Sequence, residues 1–477
     1  MNSFELLVVT LVLGITGVMT LKNEFQAVLF GLISTIVTFV EMIIMWSQFD
    51  SSIVGYQWET KWNLPLNWVF GIDGLSIWLI MLTGLLIPIC ILSNWDSIKI
   101  MRREFVVAYI LLEILLILVF SVLDILLFYV FFETILIPMF YIIGIWGSRE
   151  QKVQAAYYFF FYTLLGSVLM LIGIMWIYVT YGTTDLRLIE TTNIDINVQN
   201  WLFIAFFASL AVKVPMFPFH LWLPQAHVEA PLSGSILLAG VLLKLGGYGF
   251  IRYVLAILPE ASVYFSPLVM TMSAVAVIYA SLTTIRQIDM KRLIAYSSVA
   301  HMSIVTIGIF SGSAQGISGS IILMLAHGFV SSALFIIVTI LYDRHHSRIF
   351  KYYRGVTITM PIYSTIFFFF TLANIAAPLT ANFIGEFLVL AGSLSYSFLI
   401  TFLAATGMVL SAAYSLYFYN RVAFGTMSLY LINSTENRDV TRREFWVLVP
   451  LIIPTIYFGV YPELVLNTLQ TYVSSLI

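Results

Sequence analysis

Apolar runs long enough to cross a hydrocarbon core, roughly 17 to 25 residues each, recur along the whole chain with short polar breaks between them. Placing a helix on each run predicts spans over residues 4–21, 26–46, 74–93, 105–122, 124–146, 154–180 and 200–222. Seven more follow at 231–257, 263–284, 293–310, 316–341, 358–389, 396–425 and 445–468. The pattern is that of an all-α polytopic membrane protein with about fourteen transmembrane helices. The first run, Phe4 to Leu21, has no basic segment before it and meets Lys22 and Glu24 instead of a small-residue cleavage site, so it reads as a retained helix.

The polar breaks are sided. Seventeen of the 22 Lys and Arg residues fall on the side reached after spans one, three, five, nine, eleven and thirteen, among them Arg149, Lys152, Lys291, Arg292, Arg348 and Arg443. The opposite side holds Lys61, Arg187 and Arg252, and Lys213 and Lys244 lie inside the membrane. Because basic loops stay on the inner side, both termini are expected on the outer, positive side of an energy-transducing membrane. Span seven is interrupted by Pro215 and Pro218, span twelve by Pro378 between Asn374 and Asn382. Unwound backbone survives inside a membrane only where it lines a cavity, and matched breaks in two halves are a transporter pattern. Two inverted five-helix repeats are therefore expected, with broken helices 7 and 12. The divisions fall at 1–104 (helices 1–3), 105–257 (helices 4–8), 258–425 (helices 9–13) and 426–477 (an inner loop and helix 14).

Composition narrows the chemistry. Of 477 residues, 61% are hydrophobic and 10% charged, which leaves no water-facing domain of ordinary composition. A net charge of -2 without a long basic run argues against nucleic acid as a partner. One cysteine, Cys90, can neither close a disulfide within the chain nor hold an iron-sulfur cluster. Nucleotide-binding glycine loops and metal-spaced Cys/His groups are absent from the sequence, so no cofactor or metal is expected on this chain. Abundant Phe (38) and Tyr (26) beside many Ile fit AT-rich codons and an organellar genome. The sequon at Asn433–Thr435 falls on the basic side and reads as chance.

The candidate chemistry lies in the ionisable residues inside the spans. Glu113, Glu133, Lys213 and Lys244 fall midway along spans four, five, seven and eight. Each uncompensated charge costs about 2.5–3.5 kcal/mol at a helix centre, so pairing, hydration or function must offset it. A Glu/Lys pair can be switched by moving one nearby proton; the same pair held fixed would only tie helices together. His301 and His327 fall near mid-membrane and can pass protons at ordinary pH, or merely bond to a helix backbone. Glu386 follows the break in span twelve, where it could release protons outward or sit as an interfacial carboxylate. Taken in the order Glu133, Lys213, Lys244, His301, His327 and Glu386, these groups predict a polar axis along the midplane, with His220 and Glu113 added to the path. Glu41, Asp73 as a helix cap, and His345 and His346 in a basic loop read as structural.

The stretch Lys213 to Gly249 (KVPMFPFHLWLPQAHVEAPLSGSILLAGVLLKLGGYG) closely resembles the signature of the antiporter-like subunits of respiratory complex I, and so do Phe70–Leu79, Phe128–Pro138, Gln287–Ser303, Leu325–Phe335 and Asn382–Leu388. The resemblance spans nearly the whole chain. It implies fourteen core helices, two inverted five-helix repeats, and proton translocation coupled to electron transfer from NADH to quinone in other subunits. It implies further that Glu133 pairs with Lys213, followed by Lys244. Glutamate at position 386, where relatives usually carry lysine, points to the subunit 4 branch. NADH, FMN, iron-sulfur clusters and ubiquinone would be handled elsewhere. Subunits 2 and 5, accessory subunits and membrane lipids would be the partners, in the mitochondrial inner membrane. The lateral C-terminal helix of the subunit 5 type is not expected after span fourteen. A subunit of a multi-subunit sodium/proton antiporter, or a non-pumping scaffold of the membrane arm, are the alternatives. Glu386 weighs against the first.

Overall fold

The structure, a computed structural model, describes residues 2–62, 68–432 and 438–476; the sequon at Asn433–Thr435 lies outside the described residues. Thirteen described helices are long and apolar enough to cross a membrane, from Ser3–Thr20 to Arg442–Val460. The remaining crossing is an interrupted pair, Pro361–Asn374 and Ala381–Tyr396. Fourteen predicted spans thus have fourteen counterparts.

Helix starts follow local chemistry. Asp73 opens Gly74–Ser93 by accepting from the Ser76 N–H at 2.9 Å, and the Ser76 hydroxyl accepts in return from the Asp73 N–H at 2.8 Å. Asp289 caps Met290–Ile309 through the Lys291 N–H, and Ser313 caps Ala314–His345 through the Gly316 N–H. Lys152–Tyr181 ends on Gly182, whose φ of 69° suits a residue without Cβ.

Burial sorts the helices into two kinds. The apolar 18-residue cores of Leu232–Ile257 and Ala314–His345 are wholly enclosed by protein (100%), whereas Ser3–Thr20 is 28% buried and leaves an apolar flank bare, as a lipid-facing helix would. The two enclosed helices meet through glycine: a Cβ on Gly328 would lie 3.1 Å from the Gly240 carbonyl oxygen. Leu232–Ile257 also carries two π-helical stretches, Leu238–Leu242 and Phe250–Val254, on either side of the α-helical turn that holds Lys244.

Several boundaries differ from expectation. Span seven was expected to run to residue 222 because its apolar run continues that far. The helix ends at Lys213, since Pro215 and Pro218 cannot donate to it, and the chain resumes as Trp222–Glu229. The Trp222 indole donates to the Val212 carbonyl at 3.0 Å, satisfying a group freed by the break. In span twelve the break holds Ala376 (φ 62°) and Leu379 (φ 74°) in the left-handed region, and its second half reaches Tyr396 rather than stopping at 389. Span fourteen divides into Arg442–Val460 and Glu463–Leu476 around Pro462. The all-α expectation also missed a small antiparallel hairpin, Gln57–Trp62 with Trp68–Ile72, pinned to the start of span five where the Leu123 N–H donates to Val69 O at 3.0 Å.

Candidate functional site

The two enclosed helices carry the centre of the site. Lys244, fully buried, donates to the Ala239 carbonyl of its own helix, and its Nζ lies 2.8 Å from Nδ1 of His327. The His327 ring stands 5.8 Å from the ring of His301, centroid to centroid. His301 Nδ1 then meets Glu386 Oε1 at 3.0 Å, while its Nε2 faces the Tyr414 hydroxyl at 3.5 Å. Four ionisable side chains from four spans thus form one buried line, Lys244, His327, His301, Glu386. The expected order of the histidines is reversed, because it is His327 that meets Lys244 and His301 that meets Glu386. Glu386 is 1% exposed, so protein covers its carboxylate on all sides.

Close approach of backbones makes this line possible. A Cβ on Gly385 would fall 2.8 Å from the backbone of Leu323, so Ala381–Tyr396 is pressed against Ala314–His345 one residue before Glu386. Asn382, one turn earlier, is fully buried with neither amide atom bonded within the protein, and Glu386 keeps Oε2 unpaired. Groups of this kind cost about 1–3 kcal/mol each if left dry, so a polar band rich in them suits bridging water.

The first half of the axis is looser. Lys213 is buried at the end of its helix and not midway along it, with Nζ 4.2 Å from the Phe132 ring centroid. Glu133, the neighbour of Phe132, lies within electrostatic reach of Lys213 but makes no salt bridge with it. Ser167 is beside its carboxylate but donates to the Leu164 carbonyl, and neither Glu133 oxygen has a protein partner. The fixed Glu133/Lys213 contact weighed from sequence is therefore absent among the described residues. His220 sits in the break after Lys213, packed beside Phe217 and Tyr279 with both ring nitrogens unpaired. Glu113 is fully buried but accepts from the Thr38 hydroxyl of span two at 3.0 Å, and no contact joins it to the Lys244 line.

Sequence reasoning missed three features. His227 is fully buried, its ring stacked on Phe335 at 4.8 Å and within electrostatic reach of both Lys244 and Lys291. Its place in the Lys213–Gly249 stretch was the available signal. Lys291 and Arg348, counted among inner-loop charges, are buried: Lys291 Nζ donates to Ala230 O at 3.1 Å, and Arg348 donates to Val228 O and to the Ser148 hydroxyl. Arg252, counted from sequence only among the charges of the less basic side, is buried inside Leu232–Ile257 and pairs with Asp73, whose capping role accounts for only one of its oxygens. Spacing along one chain could not foretell that pair, 179 residues apart.

The sequence and fold were compared with known proteins. Residues 122–452 match the family described as NADH:quinone oxidoreductase/Mrp antiporter, TM. Among curated relatives, NADH-ubiquinone oxidoreductase chain 4 of Arabidopsis thaliana is 52% identical, covering 94% of this chain and 91% of its own length. The chain 4 protein of Metridium senile is 51% identical, covering 98% and 97%. Of solved structures, a chain of respiratory complex I from Thermus thermophilus superposes with a TM-score of 0.89 at 26% identity, over 99% of both chains. A chain of the Mrp complex from Dietzia sp. DQ12-45-1b superposes at 0.88 with 17% identity, over 100% of this chain and 98% of its own, a likeness of fold. The chain therefore belongs to the antiporter-like subunit family of respiratory complex I, in its chain 4 branch.

Proposed function

We propose that this chain moves protons across the mitochondrial inner membrane as part of the membrane arm of NADH:ubiquinone oxidoreductase, driven by electron transfer in other subunits. The observation that carries the reading is the buried line from Lys244 through His327 and His301 to Glu386. Neutral imidazole can accept on one nitrogen and donate from the other, so two histidines between a lysine and a carboxylate can exchange protons without moving the helices. Energy released elsewhere shifts the charge of Glu133, which lies within electrostatic reach of Lys213. The displaced proton then passes by Lys244 and the histidines to Glu386, which releases it outward. His220, in the break beside Lys213, serves the same path, and Glu113 tunes its start from span four.

In this reading both termini face the positive side, as the loop charges favour. Helices four to eight and nine to thirteen form the two inverted repeats, divided at residues 105, 258 and 426. Subunits 2 and 5 flank the chain, with accessory subunits and lipid around them, and no redox centre is carried here.

Lys213→Ala and Glu133→Gln in the assembled complex are expected to lower coupled NADH:quinone turnover and proton translocation by about tenfold or more, while NADH oxidation by artificial acceptors stays near the parent rate. Full proton pumping by an assembled Lys213→Ala complex would remove the proposal. Glu386→Gln should impair pumping, and Glu386→Lys should be better tolerated because lysine also holds an exchangeable proton.

A further inference from the structure

Trp222–Glu229, the short helix after the break in span seven, ends in an unusual way. Its last carbonyls are held from three directions: Arg348 donates to Val228 O, the Ser148 N–H to Glu229 O at 3.0 Å, and Lys291 Nζ to Ala230 O at 3.1 Å. Cations at a helix C-terminus are favourable, and here they fix the position of the side chains that precede them. One of those side chains is Glu229. It is 5% exposed, and its Oε2 is buried with no protein partner. Glu229 is among the residues lining a cavity of about 160 Å³ whose other polar walls are Gln151, Gln154, Gln225, Tyr158 and Arg292. That volume is large enough to admit water. The cavity opens on the side of the basic loops, beside exposed Gln225 and Gln151.

Behind Glu229 lies a run of groups within electrostatic reach of one another: Glu229 with Lys291, Lys291 with His227, and His227 with both Lys244 and His327. His227 is fully buried and neither ring nitrogen is bonded, so its ring can take a proton on one side and give one from the other.

We propose that this cavity is the inlet for protons from the basic-loop side, with Glu229 the first group to bind them and His227 the group that passes them to Lys244. The proposal rests on the proton-translocating reading above. The Glu229 carboxylate takes a proton from cavity water and becomes a neutral acid, then yields it through water to a nitrogen of His227. Lys244, once its ammonium has handed a proton to Nδ1 of His327, accepts the proton of the His227 imidazolium. Glu229, His227 and Lys244 return to their starting charges, one proton from the basic-loop side now rests on His327 for passage to His301 and Glu386, and no electrons are exchanged. Lys291 keeps its proton and acts as a positioning residue, its ammonium holding Ala230 O beside Glu229.

The test uses the assembled complex in sealed vesicles of both orientations. Glu229→Gln should lower coupled turnover and proton translocation about fivefold or more, with artificial-acceptor activity retained, and Glu229→Asp should recover a large part of the loss. Independently, Gln225→Cys places a thiol at the mouth, whereas the native Cys90 is buried. A membrane-impermeant cationic thiol reagent should then block pumping when added on the basic-loop side and leave it unchanged from the other side, relative to the complex with Gln225 intact. Full pumping by Glu229→Gln, complete labelling of Gln225→Cys without loss, or inhibition from the opposite side alone would each overturn the inlet. If Glu229→Gln fails to assemble, the labelling decides. Lys213→Ala separates the two proposals: if it abolishes pumping while the Glu229 and Gln225 variants pump normally, only the inlet is lost, and if it pumps fully, the reading beneath falls as well.

Discussion

His301 has both ring nitrogens occupied, Nδ1 by Glu386 and Nε2 facing Tyr414, with the His327 ring tilted beside it at 5.8 Å. A side chain so placed can be a structural tie or a proton carrier, and the two roles separate by substitution. Glutamine at 301 can still donate a hydrogen bond to Glu386 but cannot take up and release a proton near neutral pH. The complex with His301→Gln should therefore assemble at near-parental levels, while proton translocation per NADH falls by about tenfold. A tie would behave differently, with His301→Gln pumping normally and His301→Ala losing assembly. Both are read from native gels and from proton uptake in vesicles. The buried ionisable residues on spans eight, ten, eleven and twelve were legible in the sequence because a charge or imidazole deep in an apolar run stands out by its desolvation cost. Their order was not, since hydrogen bonds between residues more than 80 positions apart depend on which spans touch.

At the level of elements, apolar runs located each crossing and the prolines marked the breaks, yet span ends were misplaced by up to nine residues, as in the end of span seven at Lys213 instead of residue 222. Hydrophobicity reports where lipid or protein must cover a side chain, and it is blind to a helix that stops while the chain stays buried. Helix contacts are equally silent in composition. Gly385 shows the consequence: an added methyl would sit 2.8 Å from Leu323 Cα and N, backbone atoms that cannot yield without moving a whole helix. Overpacking of this kind costs about 1–3 kcal/mol. Gly385→Ala is expected to lower the thermal midpoint of the solubilised complex and to weaken pumping by parting Glu386 from His301. Gly312→Ala is the control: it lies in a loop with no neighbour within 4 Å of the new Cβ but with a φ of 63°, so it should cost backbone strain without touching the relay. Equal pumping defects in the two variants would mean that close packing at Gly385 does not set the Glu386 geometry.

For the whole molecule, Asp73 and Arg252 form the joint that gathers distant parts of the chain. The pair links the start of Gly74–Ser93 to the inside of Leu232–Ile257, and the Arg252 guanidinium lies over the rings of Tyr56, beside the hairpin, and Tyr472, in the C-terminal helix. That helix is held again where the Trp78 indole donates to the Thr468 hydroxyl at 2.7 Å. Arg252 is 1% exposed, so removing its partner leaves a buried charge uncompensated at a cost of about 3–5 kcal/mol, whereas removing both charges is often close to neutral. Asp73→Asn preserves the cap that Asp73 provides to Ser76 and removes only the charge. Asp73→Asn alone should lower the amount of complex on native gels and its thermal midpoint, and the double variant Asp73→Asn with Arg252→Met should regain most of both. Turnover per assembled complex should remain near parental in the double variant, because neither residue contacts the line from Lys244 to Glu386. A double variant as unstable as the single one would show that Arg252 holds the joint through its ring contacts, and a single variant with the parental midpoint would show that the charge pair contributes nothing to assembly.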